Sequence, residues 1–304
     1  MLAPAMRNWF GRASSSAPPL PPPLVEGLLS TAPPMAPDPS PRAVRPLSWS
    51  RDRLDVSDSL WGEGYQFPGG EIETLRLAKP LGLSAASSLL LLGAGGGGPA
   101  CSIATKLGVW VSGFEHDAAL IDAAHTRIGR AKLGKRAQVE VWNPAEPELA
   151  RHFYHHGLAL EPLRGCMPEP TLAAISAAIK PGGQLMMIET VADAPLDPSD
   201  PDVARWAMLE GRDPTALATE VAITRVLGRL GFDVRVVEDI SRRHVDQAML
   251  GWRTQVRDLE DVRPSRRQAA LIVGEAELWL VRLRLFQAGR LRLVRWHAIG
   301  RGSA

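Results

Sequence analysis

The stretch Leu89–Asp117, LLLLGAGGGGPACSIATKLGVWVSGFEHD, decides the fold. Its apolar run Leu89–Leu92 is too short and too uniform for one face of an exposed helix, and predicts a strand buried on both sides. The run ends in Gly93-Ala94-Gly95-Gly96-Gly97-Gly98, where the chain can reverse and no Cβ keeps a ligand from the backbone. A helical pattern from about Pro99 to Leu107 leads to a second apolar strand, Val109–Phe114, which ends at Glu115. Strand, glycine turn, helix, strand and acid together make a βαβ unit for a nucleotide or nucleoside. An acid at the tip of the second strand can accept both hydroxyls of a ribose.

Around this unit the pattern repeats. Helices are predicted near Arg53–Leu60, Glu71–Leu81, Ala118–Lys132, Thr171–Ile179, Val203–Glu210 and Pro214–Leu230, then over Ser241–Leu259 and, after a break near Pro264, on to Gln287. Further strands are predicted at Ala137–Trp142, Gly157–Leu160, Gln184–Val191, Phe232–Ile240 and Leu291–Ile299. Alternating strands and helices imply a mainly parallel sheet covered on both faces. The glycines of Trp61–Gly70 make a compact loop ahead of the first strand.

The first fifty residues are a different material, with 12 of the chain's 26 prolines. Residues 1–48 are expected to be a disordered, proline-rich tail, and 49–304 the folded domain. The start is poor in acids, as organelle presequences are, but it carries few basic residues and its proline run breaks an amphipathic helix. Pro18–Pro23 suits the aromatic groove of a protein partner. The remaining composition excludes more than it assigns. With 35 basic against 33 acidic residues in 304, nothing draws the chain to nucleic acid or an anionic membrane. No apolar run is long enough to span a membrane. Cys101 and Cys166 lack CxxC spacing, which implies reduced thiols and a cytoplasmic setting. No metal site is expected, because His155 and His156 have no third ligand at a clear spacing.

Three readings compete for the glycine turn. A P-loop fails, since no Gly-Lys-Ser/Thr follows. A dinucleotide turn fits formally, with Gly93, Gly95 and Gly98 spelling G-x-G-x-x-G, although four successive glycines satisfy many templates. S-adenosylmethionine (SAM) needs the same turn without a pyrophosphate. Later segments separate the last two. Ala177-Ala178-Ile179-Lys180-Pro181-Gly182-Gly183-Gln184-Leu185 resembles the "LKPGG-L" turn before the fifth strand of class I SAM-dependent methyltransferases. Leu230-Gly231-Phe232-Asp233-Val234 resembles the "aGF-v" start of their sixth strand, and Gly113-Phe114-Glu115 is similar to their "G-x-D/E" end of the second. Leu60–Gly70, LWGEGYQFPGG, resembles the "FGE-Y-S-GG" segment of phosphoethanolamine methyltransferases, which folds over the cofactor.

The resemblance implies an α/β, Rossmann-like, three-layer sandwich with a seven-stranded, mostly parallel sheet whose seventh strand is antiparallel. It implies SAM as cofactor and a small-molecule or lipid-headgroup methyl acceptor. Its implied cofactor contacts are Tyr65, Gly69, Gly70, Gly93, Ala94, Gly95, Glu115, His116, Asn143 and Ala145. Tyr65 and Glu161 are the candidates for a catalytic role. A nucleic-acid substrate is not expected, since no "NPPY"-type tetrad is present.

The chain also departs from the family. The acid usually found near the end of the first strand is Leu91, and the usual "D-A" after the third strand reads Asn143-Pro144-Ala145. The fourth-strand region has no acid, and Glu161-Pro162-Leu163-Arg164-Gly165 holds no histidine where phosphobase enzymes place a catalytic one. These losses fit an alternative: a non-catalytic, methyltransferase-like binding or scaffold protein. The arginines Arg282, Arg284, Arg290, Arg292 and Arg295 have two readings, an anion site on the substrate or charges that keep an edge strand soluble.

Overall fold

The computed structural model describes residues 47–261 and 263–302. All but the last two residues of the expected tail, and its groove-binding prolines, lie outside the described residues. The apolar run forms β1 (Ser88–Leu92), whose last four side chains are fully buried. Because side chains alternate along a strand, Leu89 and Leu91 enter one apolar cluster and Leu90 and Leu92 the other. The helices divide accordingly. α2 (Gly70–Ala78), α3 (Gly98–Leu107), α4 (Ala118–Arg130), α6 (Pro201–Glu210) and α9 (Arg266–Gln287) supply the first cluster, while α5 (Pro168–Ala178) and α7 (Glu220–Arg229) supply the second. α1 (Arg51–Trp61) packs on α8 (Ser241–Asp261) and α9.

β2 (Trp110–Glu115), β3 (Ala137–Val141), β4 (Tyr154–Leu160), β5 (Ile179–Val191), β6 (Phe232–Asp239) and β7 (Arg292–Gly300) complete one sheet, in the order β3-β2-β1-β4-β5-β7-β6. β1 to β5 run parallel, and β7 lies antiparallel between β5 and β6. This is the expected three-layer sandwich. The order reverses between β1 and β4, so the carboxyl ends of these strands flank the crevice where ligands of such sheets bind.

Three sequence expectations change. β4 starts at Tyr154 rather than Gly157, so His155 and His156 lie within the sheet. Their polar rings hide a strand from hydropathy, yet they are satisfied there: His155 Nδ1 accepts from Ser88 N at 3.0 Å, and His156 Nδ1 from Gln184 N at 3.3 Å. α7 starts at Glu220 because Thr219 caps it, its hydroxyl accepting from Ala222 N. β7 is an interior strand, which removes the edge-strand reading of its arginines. Arg292 pairs with Asp193 and Glu220, Arg295 with Glu238, Arg290 with Asp200 and Arg284 with Asp202. Arg282 stands apart, buried on α9.

Candidate functional site

The glycine turn is hooked onto the tip of β2. Gly93 N and Ala94 N both donate to Phe114 O, at 3.1 and 3.2 Å. Gly93 has φ of +73°, and a Cβ there would run into the Leu160 carbonyl, so no other residue fits without strain. Gly95 N donates to Glu115 Oε2 at 2.9 Å. Glu115 Oε1 accepts from His116 N at 2.8 Å and lies 3.0 Å from His116 Nδ1. Burial alone would disfavour the charge on Glu115. The hydrogen bonds from His116 and Gly95 outweigh it and hold the carboxyl below its ordinary range.

A cavity of about 400 Å³ opens over these groups, within the size range of single-ligand pockets. Gly93, Gly95, Glu115, His116 and Glu161 line it. Tyr65, Gly69, Gly70, Ala94, Asn143 and Ala145 are not among its lining residues. Tyr65 lies behind the turn against Gly98, edge-on to Phe67 at 6.2 Å, and burial pushes its hydroxyl up to about 12. Its neighbours Gln66, Phe67 and Pro68 reach the cavity instead, and Gln66 Oε1 accepts from Gly96 N at 2.9 Å. Asn143 is exposed and spends its side-chain oxygen on Ala145 N, 3.1 Å away. One residue earlier, Trp142 turns into the cavity, with its ring edge-on to Phe114 at 6.3 Å. Leu91 is fully buried in the core and does not line the cavity.

The cavity continues past Leu160 to a second set of groups. Glu161 adopts φ of +49°, a left-handed conformation that a non-glycine residue takes at a cost. Its carboxylate lies 3.1 Å from Arg282 Nη2 and accepts from the Thr190 hydroxyl. Burial would raise the Glu161 carboxyl, but Arg282, Arg212 and Arg164 outweigh it and drive the group far below its ordinary range. Glu210 lies 3.2 Å from Arg282 Nη1 and Glu189 2.6 Å from Arg212 Nη2, which completes a network of three glutamates and three arginines, buried except at the partly exposed Arg164. Glu73, held by Arg76 and Arg243, also lines the cavity, together with Gln247 and His244. Leu47, Trp49 and Arg53 close the cavity from the start of the described chain, with the Arg53 guanidinium 4.0 Å over the Trp49 ring.

His244 carries no sequence motif. Its ring is buried 5.7 Å from Trp279 and 5.4 Å from Phe286, and Nε2 has no hydrogen-bond partner among the described residues. Burial, then the nearby Arg282, pull its pKa down from 6.5 to about 3. An unfolded chain therefore binds a proton that the folded one refuses between these values. His244 costs no stability above about pH 6.5, and stability falls as pH drops toward about 3, by about 1.4 kcal/mol per unit. Urea unfolding should show wild type losing about 2 kcal/mol more than His244→Phe between about pH 6.5 and about pH 5. Equal losses would contradict the assignment.

Among the described residues, no group of three or more His, Cys, Asp or Glu could hold a metal ion, and no helix is long and apolar enough to cross a membrane. Cys101 and Cys166 are free thiols.

No protein-family model matches this chain, and no curated protein matches it in sequence. Solved structures do match in fold. Phosphoethanolamine N-methyltransferase 2 of Haemonchus contortus superposes with a TM-score of 0.72 at 18% identity, over 84% of this chain and 59% of that one. This chain thus spans little more than half of that enzyme. A putative sarcosine dimethylglycine methyltransferase from Galdieria sulphuraria gives 0.65 at 14% identity, over 82% and 98% of the two chains. The cyclase SpnF gives 0.57 at 18% identity, over 77% and 81%. The fold is that of class I SAM-dependent methyltransferases.

Proposed function

We propose that this chain is a SAM-dependent methyltransferase acting on a small-molecule acceptor. One observation carries the reading: the glycine turn and Glu115 open into the same cavity as the partly apolar space under His244, so donor and acceptor can meet. Gly93 and Gly95 would face the methionine end of SAM. Glu115 would take the ribose through its remaining lone pairs, and Phe114 and Trp142 would flank the adenine. SAM, when bound, supplies a methyl group already activated by the sulfonium charge. The protein's task is then alignment and exclusion of water, where effective molarities are worth roughly 7–11 kcal/mol. Glu161, pinned by Arg282 and Arg212, is a poor proton acceptor and serves to fix the cavity wall. The two free thiols suit a reducing, cytoplasmic setting.

S-Adenosylhomocysteine (SAH) should raise the melting temperature, while NAD should not. At one hundred times its dissociation constant a ligand adds about 2.7 kcal/mol, or roughly 5–10 °C for a domain of this size. No shift with SAH would count against the reading.

A second reading, a binding protein that keeps the fold without turnover, is favoured by one feature. The Gln66 amide lies against Gly95 and occupies the Gly96 N–H, on the face the methionine would need. Failure of the folded protein to bind SAH would select it.

A further inference from the structure

On the methyltransferase reading, the acceptor lies in the part of the cavity beyond Leu160. Each charged side chain lining that part already has a counter-charge. Arg53 is paired with Glu275, and Glu73 with Arg76 and Arg243. Glu161 faces Arg282 and Arg212, and Glu210 faces Arg282 and Arg164. A bound phosphate or carboxylate would add a negative charge beside Glu73, Glu161 and Glu210 with no unpaired cation to balance it, which is unfavourable in a buried place. Much of the remaining wall is apolar, with Trp49, Phe67, Ile240 and Leu293 among its residues.

Two lining side chains carry a buried polar atom with no partner among the described residues, Gln66 beside the glycine turn and His244 in the part beyond Leu160. His244 is 6% exposed and lines the cavity, and neither of its ring nitrogens makes a hydrogen bond among the described residues. Buried polar atoms are seldom left unpaired, and those that are call for a ligand or a water. We propose that the methyl acceptor is an uncharged, mainly apolar small molecule carrying an O–H or N–H, and that His244 receives that hydrogen and fixes the molecule's orientation. The imidazole is held neutral by its burial and by Arg282, so it acts as a hydrogen-bond acceptor and does not carry the proton away. The acceptor chemistry thereby departs from that of the Haemonchus contortus enzyme, which binds phosphomonomethylethanolamine, a charged phosphate ester.

The test uses the full chain labelled with ¹⁵N-histidine and saturated with SAH, with phenol and phosphoethanolamine as probes. Phenol at millimolar concentration should shift one imidazole nitrogen resonance, the one missing from His244→Gln, and phosphoethanolamine should leave it in place. His244→Gln, which keeps a hydrogen-bond acceptor, should retain phenol binding, while His244→Phe should weaken it about tenfold. A His244 resonance that ignores phenol, or moves with phosphoethanolamine, overturns the proposal, as does equal phenol affinity in wild type and His244→Phe. SAH affinity is measured in the same samples. A protein that binds SAH normally but fails the phenol test loses only this inference, whereas one that does not bind SAH loses the methyltransferase reading and this inference with it.

Discussion

Arg282→Ala is expected to destabilise the domain by about 3–5 kcal/mol, the largest effect of any single substitution considered. Arg282 reaches from α9 to three elements at once. Its Nη2 lies 3.1 Å from both Glu161 Oε1 and Thr190 Oγ1, and its Nη1 lies 3.2 Å from Glu210 Oε1. Removing it leaves two buried carboxylates with one fewer cation between them. Arg212 and Arg164 remain, but Arg212 is committed to Glu189 and Arg164 is partly exposed. The loss should be recovered in part by Arg282→Met combined with Glu210→Gln, which neutralises one of the two carboxylates left behind and keeps the network's charges in balance. Denaturant unfolding of the two single variants and the double variant measures this. A loss below about 1 kcal/mol for Arg282→Ala would show the network to be no stronger than a surface pair.

Glu115→Ala should weaken SAH binding at least tenfold, because a hydrogen bond to a charged group is worth about 1.5–3 kcal/mol. The carboxylate also ties Gly95 N to the tip of β2, so its removal loosens the turn as well as deleting the proposed ribose contact. The two effects can be separated. Glu115→Gln keeps an acceptor for Gly95 N but carries no charge, and should fall between wild type and alanine. An unchanged dissociation constant in Glu115→Ala would remove the ribose assignment.

The fold was legible because its signals are local. Leu89–Leu92 and Gly93–Gly98 announce a strand and its turn within ten residues, and Glu115 marks the next strand tip. What was not legible depends on which way a chain faces once it is packed. Asn143 was the expected nucleoside contact, but it closes its own turn, and Trp142 faces the cavity. Tyr65 was an expected cofactor contact, yet the fold sets it against the start of α3 and brings Gln66 and Phe67 forward. The arginines of 282–295 look like one cluster in sequence. The structure divides them, with Arg282 in a buried network and the others on separate carboxylates. His244 had no signal at all, since its burial depends on Trp279 and Phe286 of another helix. Local pattern reports elements, whereas a site assembled from β1, β2, α8 and α9 is a property of the packing.

The most direct test is calorimetric titration of the wild-type protein with SAH. A one-to-one site of micromolar dissociation constant is expected, with NAD giving no heat. A folded protein that takes up no SAH would contradict the account and leave this chain a methyltransferase in fold alone.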